Sequence, residues 1–150
     1  PTLSGEEIPL YISQEKAAAY RSQMKENTLL ITADTIVWLD GRVYGKPHDL
    51  ADAKAMLRAL SGKTHTVITG VTLTSMQKQI SFAVSTEVFF AQLDDDEIDY
   101  YVDRYRPLDK AGAYGVQEWI GYIGVTGLQG SYYNVMGLPI QRLYTELKKF

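Results

Sequence analysis

The chain has 150 residues, a formal net charge of −3, 45% hydrophobic and 22% charged residues, and no cysteine. That composition suits one ordinary globular domain over residues 1–150 and excludes disulfides, thiolate catalysis and Cys-ligated zinc. A mildly acidic chain without a transmembrane-length apolar run carries no footprint for nucleic acid or for a membrane, so neither partner is expected.

The chain opens Pro1-Thr2-Leu3-Ser4-Gly5-Glu6-Glu7, without an initiator Met and as though already inside a domain, so residues upstream are expected. Ser4 with Glu7 has the form of a capping box. Pro9 fits a first helical turn, and good helix formers, Ala17 to Ala19 among them, predict a helix from Ile8 to about Gln23. Lys16 lies on it one turn past Ile12, where an isolated lysine is ordinarily solvated.

Leu29-Leu30-Ile31-Thr32-Ala33-Asp34-Thr35-Ile36-Val37 places an acid between two β-prone apolar runs. Asp34 there either caps a turn at a strand end or is a carboxylate held by a cation, a metal or hydrogen bonds. Further on, Gly45-Lys46-Pro47 sets a cation where the chain could return toward it. Thr28 to Leu39 reads as a strand, Asp40-Gly41 as a hairpin turn, and Arg42 to Tyr44 as the antiparallel return. A second helix starts at Asp49 or Leu50, with Leu50, Ala53, Leu57 and Leu60 as its core stripe and Gly62 as its stop.

Thr66 to Thr74 and Ile80 to Leu93 read as strands about the turn Gln77-Lys78-Gln79, the second long enough to be twisted or bulged. His48 and His65 lack metal-ligand spacing and read as surface or strand residues. Asp94-Asp95-Asp96-Glu97 reads as an N-cap with acids at the positive end of a helix, not as a metal cluster. Ile98, Tyr101, Val102 and Tyr105 give that helix its buried face, and Pro107 closes it. The stretch Pro107 to Gln117 is glycine-punctuated, with Asp109, Lys110 and Gln117 as polar groups a ligand could use. Strands are expected over Glu118 to Val125 and Ser131 to Met136, then a final amphipathic helix over Ile140 to Lys148. Strands, helices and hairpins so interspersed predict an α/β fold with a mixed sheet. No Walker motif and no Gly-x-Gly-x-x-Gly occurs.

Ala-Asp-Thr-Ile-Val at 33–37, Gly-Lys-Pro at 45–47, Met-Leu-Arg-Ala-Leu-Ser-Gly-Lys-Thr-His at 56–65 and Thr-Gly-Val at 69–71 resemble the Maf-like proteins. So do Leu-Asp-Lys-Ala-Gly-Ala-Tyr-Gly-Val-Gln at 108–117 and Gly-Ser-Tyr-Tyr-Asn-Val-Met-Gly-Leu-Pro at 130–139. The resemblance implies a nucleoside triphosphate pyrophosphatase with a long mixed sheet, flanking helices and a deep cleft, like the inosine triphosphate pyrophosphatases. It further implies a cytoplasmic enzyme, often a homodimer, using Mg or Mn.

By position, Asp34 matches the family's catalytic acid, taken as the general base, while Lys16 and Lys46 match lysines facing the phosphates; as a carboxylate, Asp34 is also the candidate ligand for the divalent cation. Thr35 and Gln117 match positions tied to base selectivity, and the pairing of Asp34-Thr35 with Gln117 resembles the subgroup acting on thymidine and uridine triphosphates. The family's opening strand, its Ser-x-Ser-Pro-Arg-Arg loop and a metal-associated Glu have no counterpart in this sequence; Pro1 begins just beyond them. From another class, the rival reading is a nucleotide-binding regulatory or septum-associated module with weak or no catalysis.

Overall fold

The computed structural model describes residues 3–150. Helix α1 (Glu7–Tyr20) runs through a short 3-10 turn into strand β1 (Leu30–Leu39), which turns at Asp40-Gly41 into β2 (Arg42–Tyr44). Helix α2 (Leu50–Leu60) leads to β3 (Thr64–Thr74) and β4 (Gln79–Phe90), followed by α3 (Asp95–Tyr105). After a loop come α4 (Trp119–Gly124), β5 (Val125–Gln129), α5 (Tyr132–Met136) and α6 (Ile140–Lys149).

The five strands order as β2-β1-β3-β4-β5. The helix-flanked α/β class holds, but every pairing among the described residues is antiparallel rather than mixed. The β2–α2–β3 connection explains this: it jumps over β1, so its two like-directed strands flank β1 and never become neighbours. The irregularity expected in the long strand falls at Phe89/Phe90, where its pairing to β5 shifts register.

The two faces of the sheet are covered by different chemistry. On one lies α1, whose buried residues are the small Pro9, Ser13 and Ala17. Hydroxyls stitch it down: Ser13 Oγ is 2.7 Å from Thr72 Oγ1, and Thr32 Oγ1 donates to the Ser13 carbonyl at 2.7 Å. The approach is close enough that a side chain at Gly70 would meet Pro9 O and Leu10 N at 2.5 Å. On the other face, Val37 of β1, Val67 of β3 and Val88 of β4 pack with Leu57 of α2 and Ile98 and Tyr101 of α3, while Val71, Leu73 and Phe82 form a second cluster with Leu143 of α6. Side chains alternate between faces along a strand, so one pattern serves both layers.

Helix ends follow the expected chemistry in part. Asp94 forms a full capping box with Glu97, and Asp49 caps α2 by accepting from the Asp52 N–H. At α1 only half of the box forms, with the Ser4 N–H donating to Glu7 Oε1 at 3.2 Å.

Two expected strands are helices. Over Trp119–Gly124 the chain makes a short helix because Ile120 must reach the core and Gly121 packs on the Val116 backbone, which any side chain there would strike. Over Tyr132–Met136 the Ser131 hydroxyl accepts from the Asn134 N–H at 3.1 Å, an N-cap that starts a helical turn.

Candidate active site

Strand β2 pairs only with Val37 to Leu39, so among the described residues the outer edge of β1 from Leu30 to Ile36 has no strand beside it. A cleft of about 240 Å³ opens along this edge. Asp34 lies in the middle of β1, which excludes the turn-capping reading. Lys16 enters the cleft from α1, Lys46 from the loop after β2, and Lys110 and Gln117 from the loop after α3. Thr35 and the Val135–Gly137 end of α5 complete the walls. All five residues singled out by resemblance (Lys16, Asp34, Thr35, Lys46 and Gln117) line this one cleft.

Lys16 Nζ donates to the Ala33 carbonyl oxygen at 2.8 Å and approaches Asp34 Oδ1 at 3.4 Å. The lysine side chain is 48% exposed and the aspartate 21%, so the cation is well solvated while the carboxylate is not. Desolvation therefore wins: burial pushes the Asp34 carboxyl above its ordinary value, against the opposing pull of Lys16 and Lys46. Such a carboxylate is a better proton acceptor than a free aspartate, and it sits where a further cation would be welcome.

The loop from Asp109 to Gln117 is fixed from below. Gly112, at φ +71°, packs on Val37, and its N–H donates to the Gly45 carbonyl at 3.1 Å, joining the Lys46 loop to the Lys110 loop. Tyr101 donates to Glu118 Oε1 at 2.6 Å and accepts from the Gly115 N–H at 3.1 Å. Tyr114, which lines the cleft, has its hydroxyl 2.6 Å from His65 Nε2, and both rings pack edge-on against Phe90. Burial holds the His65 imidazole down to about 4, so it is a neutral core residue near the start of β3 and not a surface one. Lys110 is tethered by Asp109 at 3.3 Å and faces Glu118 at 4.0 Å.

The cleft thus has two characters. Lysines gather around Asp34 at one part, while Val37, Val67, Tyr114, Val135 and Met136 supply apolar wall. Sequence reasoning singled out the loop bearing Asp109 and Lys110 for a ligand, but held Val135 to Gly137 only as part of a family motif and gave them no site role; the Ser131 cap three residues before Asn134 was the available signal for that turn.

The profile of the family described as Maf-like protein matches residues 2–150. The chain belongs to that family. It is 68% identical over 148 residues to the dTTP/UTP pyrophosphatase of Phocaeicola vulgatus, an alignment covering 99% of this chain and 77% of that protein. It is 64% identical over 148 residues to the dTTP/UTP pyrophosphatase of Bacteroides fragilis, with the same shares covered, 99% and 77%. With the protein of that name from Porphyromonas gingivalis the identity is 56% over 150 residues, covering 99% of this chain and 75% of the relative. No helix among the described residues is long and apolar enough to cross a membrane.

Proposed function

We propose that this Maf-like chain hydrolyses dTTP and UTP to the nucleoside monophosphate and pyrophosphate in this cleft. One observation carries the reading: Asp34, Lys16 and Lys46, from three separate segments, converge on one cleft that also has an apolar wall. A nucleoside triphosphate needs both environments, cations for its phosphates and an apolar surface for its base. The names of the close relatives support the same substrate.

In this reading Asp34 accepts the proton of the attacking water as its oxygen bonds to the α-phosphorus. The bond from that phosphorus to the bridging oxygen breaks, and pyrophosphate leaves with the electron pair. Lys16 and Lys46 offset the charge developing on the leaving group. Phosphate oxygens compete with Asp34 for Lys16, which frees the carboxylate for the proton. Thr35 and Gln117 meet the base at the apolar end.

Among the described residues no group of three or more His, Cys, Asp or Glu side chains could hold an ion by itself. One desolvated carboxylate, Asp34, nevertheless fits Mg²⁺ or Mn²⁺ arriving with the triphosphate, because Mg²⁺ binds through one or two carboxylates, phosphate oxygens and waters. When bound, the ion supplies neutralisation of phosphate charge. The reading also places the protein in the cytoplasm, where these nucleotides are, and as a homodimer. Exposed Tyr133, Met136, Ile140 and Tyr144 on neighbouring turns of α5 and α6 support an apolar contact face.

The test is pyrophosphate release from dTTP, UTP, CTP, ATP and GTP with Mg²⁺ or Mn²⁺, and after chelation. Turnover confined mainly to dTTP and UTP and abolished by chelator is expected. Nucleotide binding without pyrophosphate release would refute the enzymatic reading.

A further inference from the structure

Thr35 and Thr69 face each other in the β1–β3 ladder, with their hydroxyl oxygens 2.8 Å apart. Each hydroxyl has one proton to give and two lone pairs. Thr35 has a second acceptor in the Gly137 carbonyl oxygen at 3.3 Å, and fully buried Thr69 has one in the Asn134 carbonyl oxygen at 3.4 Å. Two proton orders satisfy both hydroxyls. Either Thr69 donates to Thr35 and Thr35 to Gly137, or Thr35 donates to Thr69 and Thr69 to Asn134. In both, the Thr35 proton is committed to protein, and what Thr35 turns toward the cleft is a lone pair.

The carbonyls at the ends of this chain are held in place. Asn134 is fully buried, and its Nδ2 lies 3.3 Å from Val67 O, 2.9 Å from Val84 O and 3.0 Å from Thr86 Oγ1. The Gly137 N–H donates back to the Asn134 carbonyl at 3.0 Å. The Asn134 side chain thereby pins the turn carrying both carbonyls to β3 and β4.

Resting on the cleft being a nucleotide site, we propose that Thr69 is a positioning residue that presets Thr35 as a hydrogen-bond acceptor. That acceptor selects a base presenting an imide N–H. Uracil and thymine offer N3–H; cytosine offers a lone pair at the same place, and two lone pairs repel. Thr69 itself does not line the cleft, so it acts only through Thr35. A site built around one hydrogen bond rejects analogues lacking it far more strongly than an apolar pocket rejects a change of size.

The experiment measures kcat and KM of wild type, Thr69→Val and Thr69→Ser on UTP, CTP and N3-methyl-UTP. Wild type is expected to favour UTP over both others by at least about 10²-fold in kcat/KM. Thr69→Val leaves the Thr35 proton only the longer Gly137 contact, and the UTP-to-CTP ratio should fall roughly tenfold, through KM, with kcat on UTP little changed. Thr69→Ser should restore the ratio, which a purely packing role would not predict. Should Thr69→Val fail to fold, Thr69→Ala, which also removes the hydroxyl, is measured in its place. Equal turnover of UTP and N3-methyl-UTP by wild type, or an unchanged ratio in the folded variant lacking the hydroxyl, overturns the proposal while leaving the nucleotide site standing. No turnover of any nucleotide by wild type overturns both.

Discussion

Lys16 Nζ stands closer to the Ala33 carbonyl, at 2.8 Å, than to the neighbouring Asp34 carboxylate, at 3.4 Å. The backbone anchors the lysine beside the acid without neutralising it fully, and the Asp34 carboxyl stays above its ordinary value. A pH signature follows. Pyrophosphate release should fall on the acid side at a pH above an ordinary aspartate's value, because the base must be ionised. Lys16→Met removes the larger of the two opposing cations and should move that limb to still higher pH, while lowering turnover. An unmoved limb would mean that another group titrates.

Lys46 is exposed and belongs to no ion pair among the described residues, so Lys46→Met should leave the melting temperature nearly unchanged. The variant should nonetheless lose about 10²-fold in turnover of triphosphates, the scale for removing one group that stabilises developing charge. Wild-type kinetics in Lys46→Met would show that this lysine does not face the phosphates.

Gly70→Ala tests whether the close seating of α1 matters to the site. The new Cβ would lie 2.5 Å from Pro9 O and Leu10 N, backbone atoms that cannot rotate aside. The helix must lift, at a cost of about 1–3 kcal/mol, and it carries Lys16 with it. Urea melts and pyrophosphate release should both suffer. Gly127→Ala, whose Cβ would meet nothing nearer than Phe89 Cδ2 at 3.5 Å, should change stability by less than roughly 0.5 kcal/mol. Comparable melts for the two variants would contradict the packing described.

His65 supplies an acid-side stability prediction. Its folded pKa of about 4 lies below the ordinary 6.5 because burial penalises the charged ring. Its contribution is therefore complete above pH 6.5 and is lost as pH falls through about 4. Over that window the loss should approach roughly 3 kcal/mol. His65→Gln should show a flatter decline between pH 7 and pH 4.5 in urea melts, and parallel curves for the two proteins would refute the assignment.

What the sequence made legible was local chemistry. Asp40-Gly41 announced its hairpin, Leu50, Ala53, Leu57 and Leu60 their helix, and Asp94 with Glu97 their cap. Asp34 was legible as a polar residue in an apolar setting, and Lys46 by its place after the hairpin. Residues 119–124 were misread because Trp119, Ile120, Tyr122 and Ile123 all favour strands, and only tertiary contacts of Ile120 and Gly121 make that stretch helical. The role of Thr69 could not be read at all, since it depends on a cross-strand register with Thr35 and on a turn more than sixty residues further along.

The central claim, that Asp34 is the base of a nucleotide-hydrolysing cleft, is most directly tested by Asp34→Asn. The exchange keeps the shape of the side chain and removes its charge and its proton affinity. Because the folded pKa of Asp34 is raised, its contribution to stability is complete only below the ordinary 3.8 and is lost as pH rises through the folded value. At neutral pH the variant should therefore melt no lower than wild type. Pyrophosphate release from UTP with Mg²⁺ should nevertheless fall by about 10²–10⁴-fold. A folded Asp34→Asn protein that releases pyrophosphate at the wild-type rate would contradict the account.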